Sequence, residues 1–100
     1  MLHTVNKSPF DKNSLQSCLD LSLDGSDILL IEDGVYGAIR GNTSAAAIKA
    51  AMATKTFYAL GPDLKARGIE EEKLIDGVKI VDYSGFVELA ATNDRVQSWL

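Results

Sequence analysis

DILLIEDGVYGAIRGNT, residues Asp27 to Thr43, contains a nearly unbroken apolar run from Ile28 to Glu32, made mostly of isoleucine and leucine. The run is too short for a helix of its own and is bounded by polar residues, so it reads as a strand buried on both faces. Asp33-Gly34 breaks it, and Val35 to Ile39 starts a different pattern before Gly41-Asn42 interrupts again. A doubly buried strand needs a sheet covered by helices, which places the whole chain in the α/β class. Ligands of such sheets bind beyond the carboxyl ends of the strands. The functional question therefore turns first to Glu32, Asp33 and Gly34.

Working outward, Leu2 to Val5 is a short apolar strand ended by Asn6, Lys7, Ser8 and Pro9. Asp11, Asn13 or Ser14 can cap a helix reaching Leu21 or Leu23, with Leu15, Cys18 and Leu19 forming its apolar stripe. Asp24-Gly25-Ser26 turns back into the central strand. Beyond that strand, Thr43 or Ser44 can cap an alanine-rich helix through Ala53, with Ile48, Ala51 and Met52 on one face. Thr56 to Leu60 has strand character, and GPDLKARG reads as a very short helix with Pro62 at its start and Gly68 past its end. Glu70, Glu71, Glu72 and Lys73 form a solvated turn. Val78 to Val81 is a fourth strand, followed by a helix from Gly85 to Thr92 with Phe86, Leu89 and Ala90 on one side. The tail Val96 to Leu100, with Trp99, reads as a fifth strand or a docked tail. Alternating strands and helices predict a single three-layer α/β/α domain over residues 1–100, with a mostly parallel four- to five-stranded sheet.

Composition narrows the function. One hundred residues make one domain with a thin core. The formal charge is 10 − 14 = −4, with no basic stripe, so direct binding to nucleic acid is not expected. No apolar run approaches the ~18 residues that span a membrane, and the opening MLHTVNKSPF lacks the pattern of a signal peptide. With one cysteine there is no intrachain disulfide, and a cytoplasmic location is expected.

The candidate chemistry is sparse. There is no GxGxxG or GxxxxGK[ST] phosphate cradle. Aspartates at the strand ends read chiefly as caps and turn residues, with a metal or phosphoryl-acceptor pocket of Glu32, Asp33, Asp82 and Lys7 as the lesser alternative. His3 has apolar neighbours and reads as a hydrogen-bonded interior or interface residue. Neither a metal nor a cofactor is expected. Cys18 is the only soft nucleophile. Its place on an apolar stripe favours packing, and Asp20 and Asp24 nearby would disfavour a thiolate. The competing reading makes it a reactive or interface thiol.

Taken together, MLHTVNKSPF, SCLDL, ILLIEDGVYGAI, FYALGPDLKARG, VDYSGFVEL and VQSWL resemble the DsrH/TusB family across nearly the whole chain. No single motif carries the resemblance; the ordered set does. It implies an accessory subunit of a cytoplasmic sulfur-relay (sulfurtransferase) heterohexamer with DsrE/TusD-like and DsrF/TusC-like partners. Persulfide sulfur would pass to a DsrC/TusE-like carrier, and the main persulfide cysteine would lie on the DsrE/TusD-like partner. Cys18 would be at most a persulfide acceptor, and Asp27–Thr43 the sheet core plus a loop presented to partners. NKSPF, Cys18 and GPDLKARG favour the DsrH type, which serves sulfur oxidation. The alternatives are a TusB-type subunit for 2-thiolation of the wobble uridine in transfer RNA, or a self-sufficient sulfurtransferase using Cys18.

Overall fold

A computed structural model describes residues 1–100. Its strands are β1 (Leu2–Val5), β2 (Asp27–Leu30), β3 (Thr56–Leu60), β4 (Lys79–Val81) and β5 (Val96–Trp99). All neighbours pair in parallel, in the order β4-β3-β2-β1-β5. Parallel neighbours need crossovers, and these are supplied by α1 (Ser14–Leu21), α2 (Ala45–Ala51), α3 (Gly61–Ala66) and α4 (Tyr83–Thr92). No helix is long and apolar enough to cross a membrane.

The expected α/β class and parallel sheet hold, with the tail as a true fifth strand. Because strand order runs monotonically from β1 to β4, right-handed crossovers put α1, α2 and α3 on one face. The return from β4 to β5 puts α4 on the other. Register explains the two faces. His3, Ile28 and Phe57 lie in one row, and Val5, Leu30 and Ala59 two rows further on. With the exception of His3, these residues join Leu15, Cys18, Ile48 and Leu64 from the helices in the main apolar cluster. Burying each large member stabilises the fold by roughly 1.5–3 kcal/mol. The alternate residues Leu2 and Leu29 are also buried but lie outside that cluster, on the other face of the sheet. α4 itself has no fully buried residue; Phe86, Leu89 and Ala90 are half-buried, as their shared face predicts.

The central stretch departs from expectation after Leu30. β2 stops there, and Glu32–Ala38 forms a 3-10 helix in place of an extended loop. Gly34, Val35, Gly37 and Ala38 are buried, so most of this segment packs into the core and is not presented outward. Gly34 makes this possible: a Cβ there would lie 2.0 Å from the Val5 carbonyl oxygen. α3 follows GPDLKARG as expected, with Pro62 in its first turn and Gly68 at φ +67 just beyond its end. The solvated turn is a short 3-10 helix, Glu71–Lys73.

Candidate functional site

Two places were open to chemistry: the thiol on α1 and the carboxyl edge of the sheet. Cys18 faces inward beside Leu15 and is 0% exposed. Burial pushes its thiol up to about 12, while the Lys55 ammonium pulls weakly the other way. The cause is thus desolvation, and Asp20 and Asp24 play no part in it. At neutral pH the buried thiol is therefore held in its protonated form. Sulfur exchange requires thiolate attack on an accessible outer sulfur. In the folded chain this thiol offers neither access nor charge.

At the carboxyl edge the acidic residues are already engaged. The Glu32 N–H donates to Asp63 Oδ2 at 2.6 Å. The Arg67 guanidinium donates to Asp33 Oδ1 from Nε at 3.0 Å, with Nη2 at 2.9 Å, and from Nη1 to the Asp63 carbonyl at 3.2 Å. This clamp ties the 3-10 helix to α3 and holds Glu32 at φ +50, an uncommon conformation for a residue with a side chain. Asp82 caps α4, accepting from the Gly85 N–H at 2.8 Å. Nowhere do three or more His, Cys, Asp or Glu side chains converge as a metal would require. The suggested pocket of Glu32, Asp33, Asp82 and Lys7 is therefore not assembled: Asp33 faces Arg67, and Asp82 faces its own helix. A cavity of ≈ 440 Å³ does open at this edge between Gly61, Ile80, Val81, Asp82 and Gly85, but its one carboxylate is the helix cap. Asn6 Oδ1 is buried nearby in the chain's β1 end without a hydrogen-bond partner. Asp63 is one of the aspartates expected at the strand ends, but its pairing with Arg67 escaped the sequence reading, although their i, i+4 spacing within GPDLKARG was a usable signal.

His3 is an interior residue, as its neighbours suggested. The Trp99 Nε1–H donates to His3 Nδ1 at 3.0 Å, linking β1 to β5. Burial, then the positive N-terminal amine and Lys55, lower its pKa, so the ring is neutral with its proton on Nε2.

This chain thus presents an α/β scaffold whose one thiol is buried. Its residues 7–96 match the family described as DsrH like protein. Protein TusB of Photorhabdus laumondii is 37% identical over 101 residues, covering 99% of this chain and all of that protein. Protein TusB of Escherichia coli K12 is 32% identical over 99 residues, again covering 99% of this chain and all of the relative. In three dimensions the chain is similar to the ychN protein from E. coli, with TM-score 0.80, 22% identity and 97% of each chain covered. It is equally similar in fold to MTH1491 from Methanobacterium thermoautotrophicum, with TM-score 0.80, 16% identity, and 97% of this chain and 96% of that one covered.

Proposed function

The chain belongs to the DsrH/TusB family, and from that premise we propose that it is the TusB-type accessory subunit of a sulfur-relay complex serving 2-thiolation of the wobble uridine in transfer RNA. The observation that carries the accessory role is the occlusion of Cys18, 0% exposed with its thiol pushed up to about 12. A subunit without a usable thiolate contributes structure and surface, and the persulfide is borne by a DsrE/TusD-like partner. A DsrF/TusC-like subunit completes the heterohexamer, and a DsrC/TusE-like carrier receives the sulfur. With net charge −4 and no basic stripe, this chain does not itself grip the transfer RNA.

The choice of branch reverses the initial preference for sulfur oxidation. That preference leaned on NKSPF, Cys18 and GPDLKARG, and the last two have a purely structural account here. Cys18 fills the core under α1, and GPDLKARG builds α3 and its Arg67 clamp. Neither distinguishes one sulfur destination from the other. Relatives named TusB, matched over 99% of the chain, favour the transfer-RNA branch.

The test is the 2-thiouridine content of transfer RNA in cells of the source organism lacking this chain, measured by mass spectrometry of digested nucleosides. Loss of the thiolated wobble uridine, restored by the wild-type chain, is the expected result. Undiminished thiolation, with impaired oxidation of reduced sulfur compounds, would return the chain to the other branch.

A further inference from the structure

The two edges of the sheet are built differently. β4 is three residues long and carries Lys79, and both features keep an edge from pairing with another chain. β5, Val96-Gln97-Ser98-Trp99, has neither charge nor proline, and its first three residues are exposed. Its inner side is taken, because the Leu2 and Asn6 N–H groups donate to the Arg95 and Trp99 carbonyls at 2.9 and 3.5 Å. Odd-numbered residues thus bond toward β1, and the N–H and C=O groups of Val96 and Ser98 point away from it. Only the Gln97 side-chain amide, 3.3 Å from the Ser98 carbonyl, meets them. Apolar surface gathers at the same edge. Val96 is 49% and Leu100 77% exposed. α1 lies over β1 and β5, and the Ser14 hydroxyl, bonded to the Leu100 carbonyl, marks the side of α1 that looks toward β5. Ser17 and Leu21, three and seven residues on, continue that uncharged stripe, and Leu21 is 69% exposed. Gln16 and Asp20 lie further round the helix and bond to each other at 2.9 Å.

We infer that this edge binds a second copy of the chain, the two β5 strands pairing antiparallel about a two-fold axis so that both sheets run on as one. The register follows from the side chains. With Ser98 opposite its own counterpart, Val96 meets Leu100 of the second copy and Gln97 meets Trp99, each pair on one face of the joined sheet. Moving the axis to Gln97 would set Arg95 against Trp99 and Leu100 against Asp94. The first register buries the exposed apolar groups and no charge. At ~4.8 Å between strands, the two α1 helices come about 10 Å apart across the axis, the distance at which helices pack. Ser14 and Ser17 are small enough for that approach, and Leu21 of each copy closes one end of the contact. A second copy fits because the same uncharged surface serves both sides of a two-fold interface, whereas a charged partner strand would find no counter-charge on β5. The contact uses neither Cys18 nor the carboxyl edge, and it stands or falls separately from the sulfur-relay reading.

The test is analytical ultracentrifugation of the full chain over about 1 to 100 μM, with amide hydrogen exchange read by NMR at both ends of that range. A reversible monomer–dimer equilibrium with Kd on the order of 10 μM is expected. The Val96 and Ser98 amides gain protection as the dimer fills. Ser98→Pro removes an outward N–H that β1 does not use, at a kind of edge position proline tolerates, and abolishes the dimer. Val96→Lys weakens association about tenfold or more and decides the matter should the proline variant not fold. Tyr83→Lys, on the exposed side of α4, leaves the dimer unchanged. A wild type that stays monomeric throughout, a trimer or larger species, a dimer that survives both β5 substitutions, or one lost in Tyr83→Lys each overturns the inference.

Discussion

Cys18 shows how one position in the fold governs a side chain's chemistry. The same thiol on the outer face of α1 would ionise near its ordinary value and exchange readily. On the inner face, desolvation pushes it up to about 12. This has a consequence for stability whose sign is fixed. The folded state holds the proton more tightly than the unfolded one, so the contribution is complete below the unfolded thiol's pKa and is lost as pH rises from there toward 12. Each unit of pH in that window costs about 1.4 kcal/mol from this group. Comparing denaturant midpoints of wild type and Cys18→Ala at pH 7 and pH 10 isolates it. Wild type loses on the order of 1 kcal/mol more than the variant on going to pH 10. Equal losses would mean that the thiol is not desolvated. The inward position of Cys18 was legible from its i, i+3 spacing to Leu15; the desolvation that keeps it protonated was not. Asp20 and Asp24 are neighbours in sequence, whereas the core that desolvates the thiol is assembled from distant strands.

Among the elements, the 3-10 helix Glu32–Ala38 decides how the central strand ends. It sits against β1 because Gly34 brings bare backbone onto Val5, and it is tied to α3 through Asp33, Asp63 and Arg67. Gly34→Ala puts a methyl group 2.0 Å from the Val5 carbonyl oxygen, a contact that forces backbone to move. The expected cost is about 2–3 kcal/mol, read as a lowered midpoint of chemical unfolding. An unchanged midpoint would show that the segment is not seated on β1. Element identity was otherwise readable where local chemistry and tertiary context agree. Thr56–Leu60 reads as a strand from its aromatic and aliphatic residues, and α3 from Pro62 and Gly68. The 3-10 helix was not readable, since the breaks at Asp33-Gly34 and Gly41-Asn42 set the segment off as a loop. Its burial depends on a gap beside β1 that no local pattern reports.

At the scale of the whole molecule, alternation of strands and helices was enough for the class and the parallel sheet. The order β4-β3-β2-β1-β5 was beyond local pattern, because β5 could have added beside β4 as readily as beside β1. What places it is the pairing of Leu2–Val5 with Val96–Trp99, reinforced by the Trp99–His3 bond and by the Ser14 hydroxyl, which donates to the Leu100 carbonyl at 2.9 Å. The result is a scaffold whose second face carries only α4, with Tyr83 and Val87 exposed upon it. Such a subunit suits an assembly in which neighbours supply the reactive group. The most direct measurement is the mass of each subunit after the complex, and this chain alone, are incubated with a persulfide donor. The account predicts a gain of one sulfur on a DsrE/TusD-like partner and none on this chain in either setting. A stable gain of one sulfur on this chain, absent in Cys18→Ala, would contradict it.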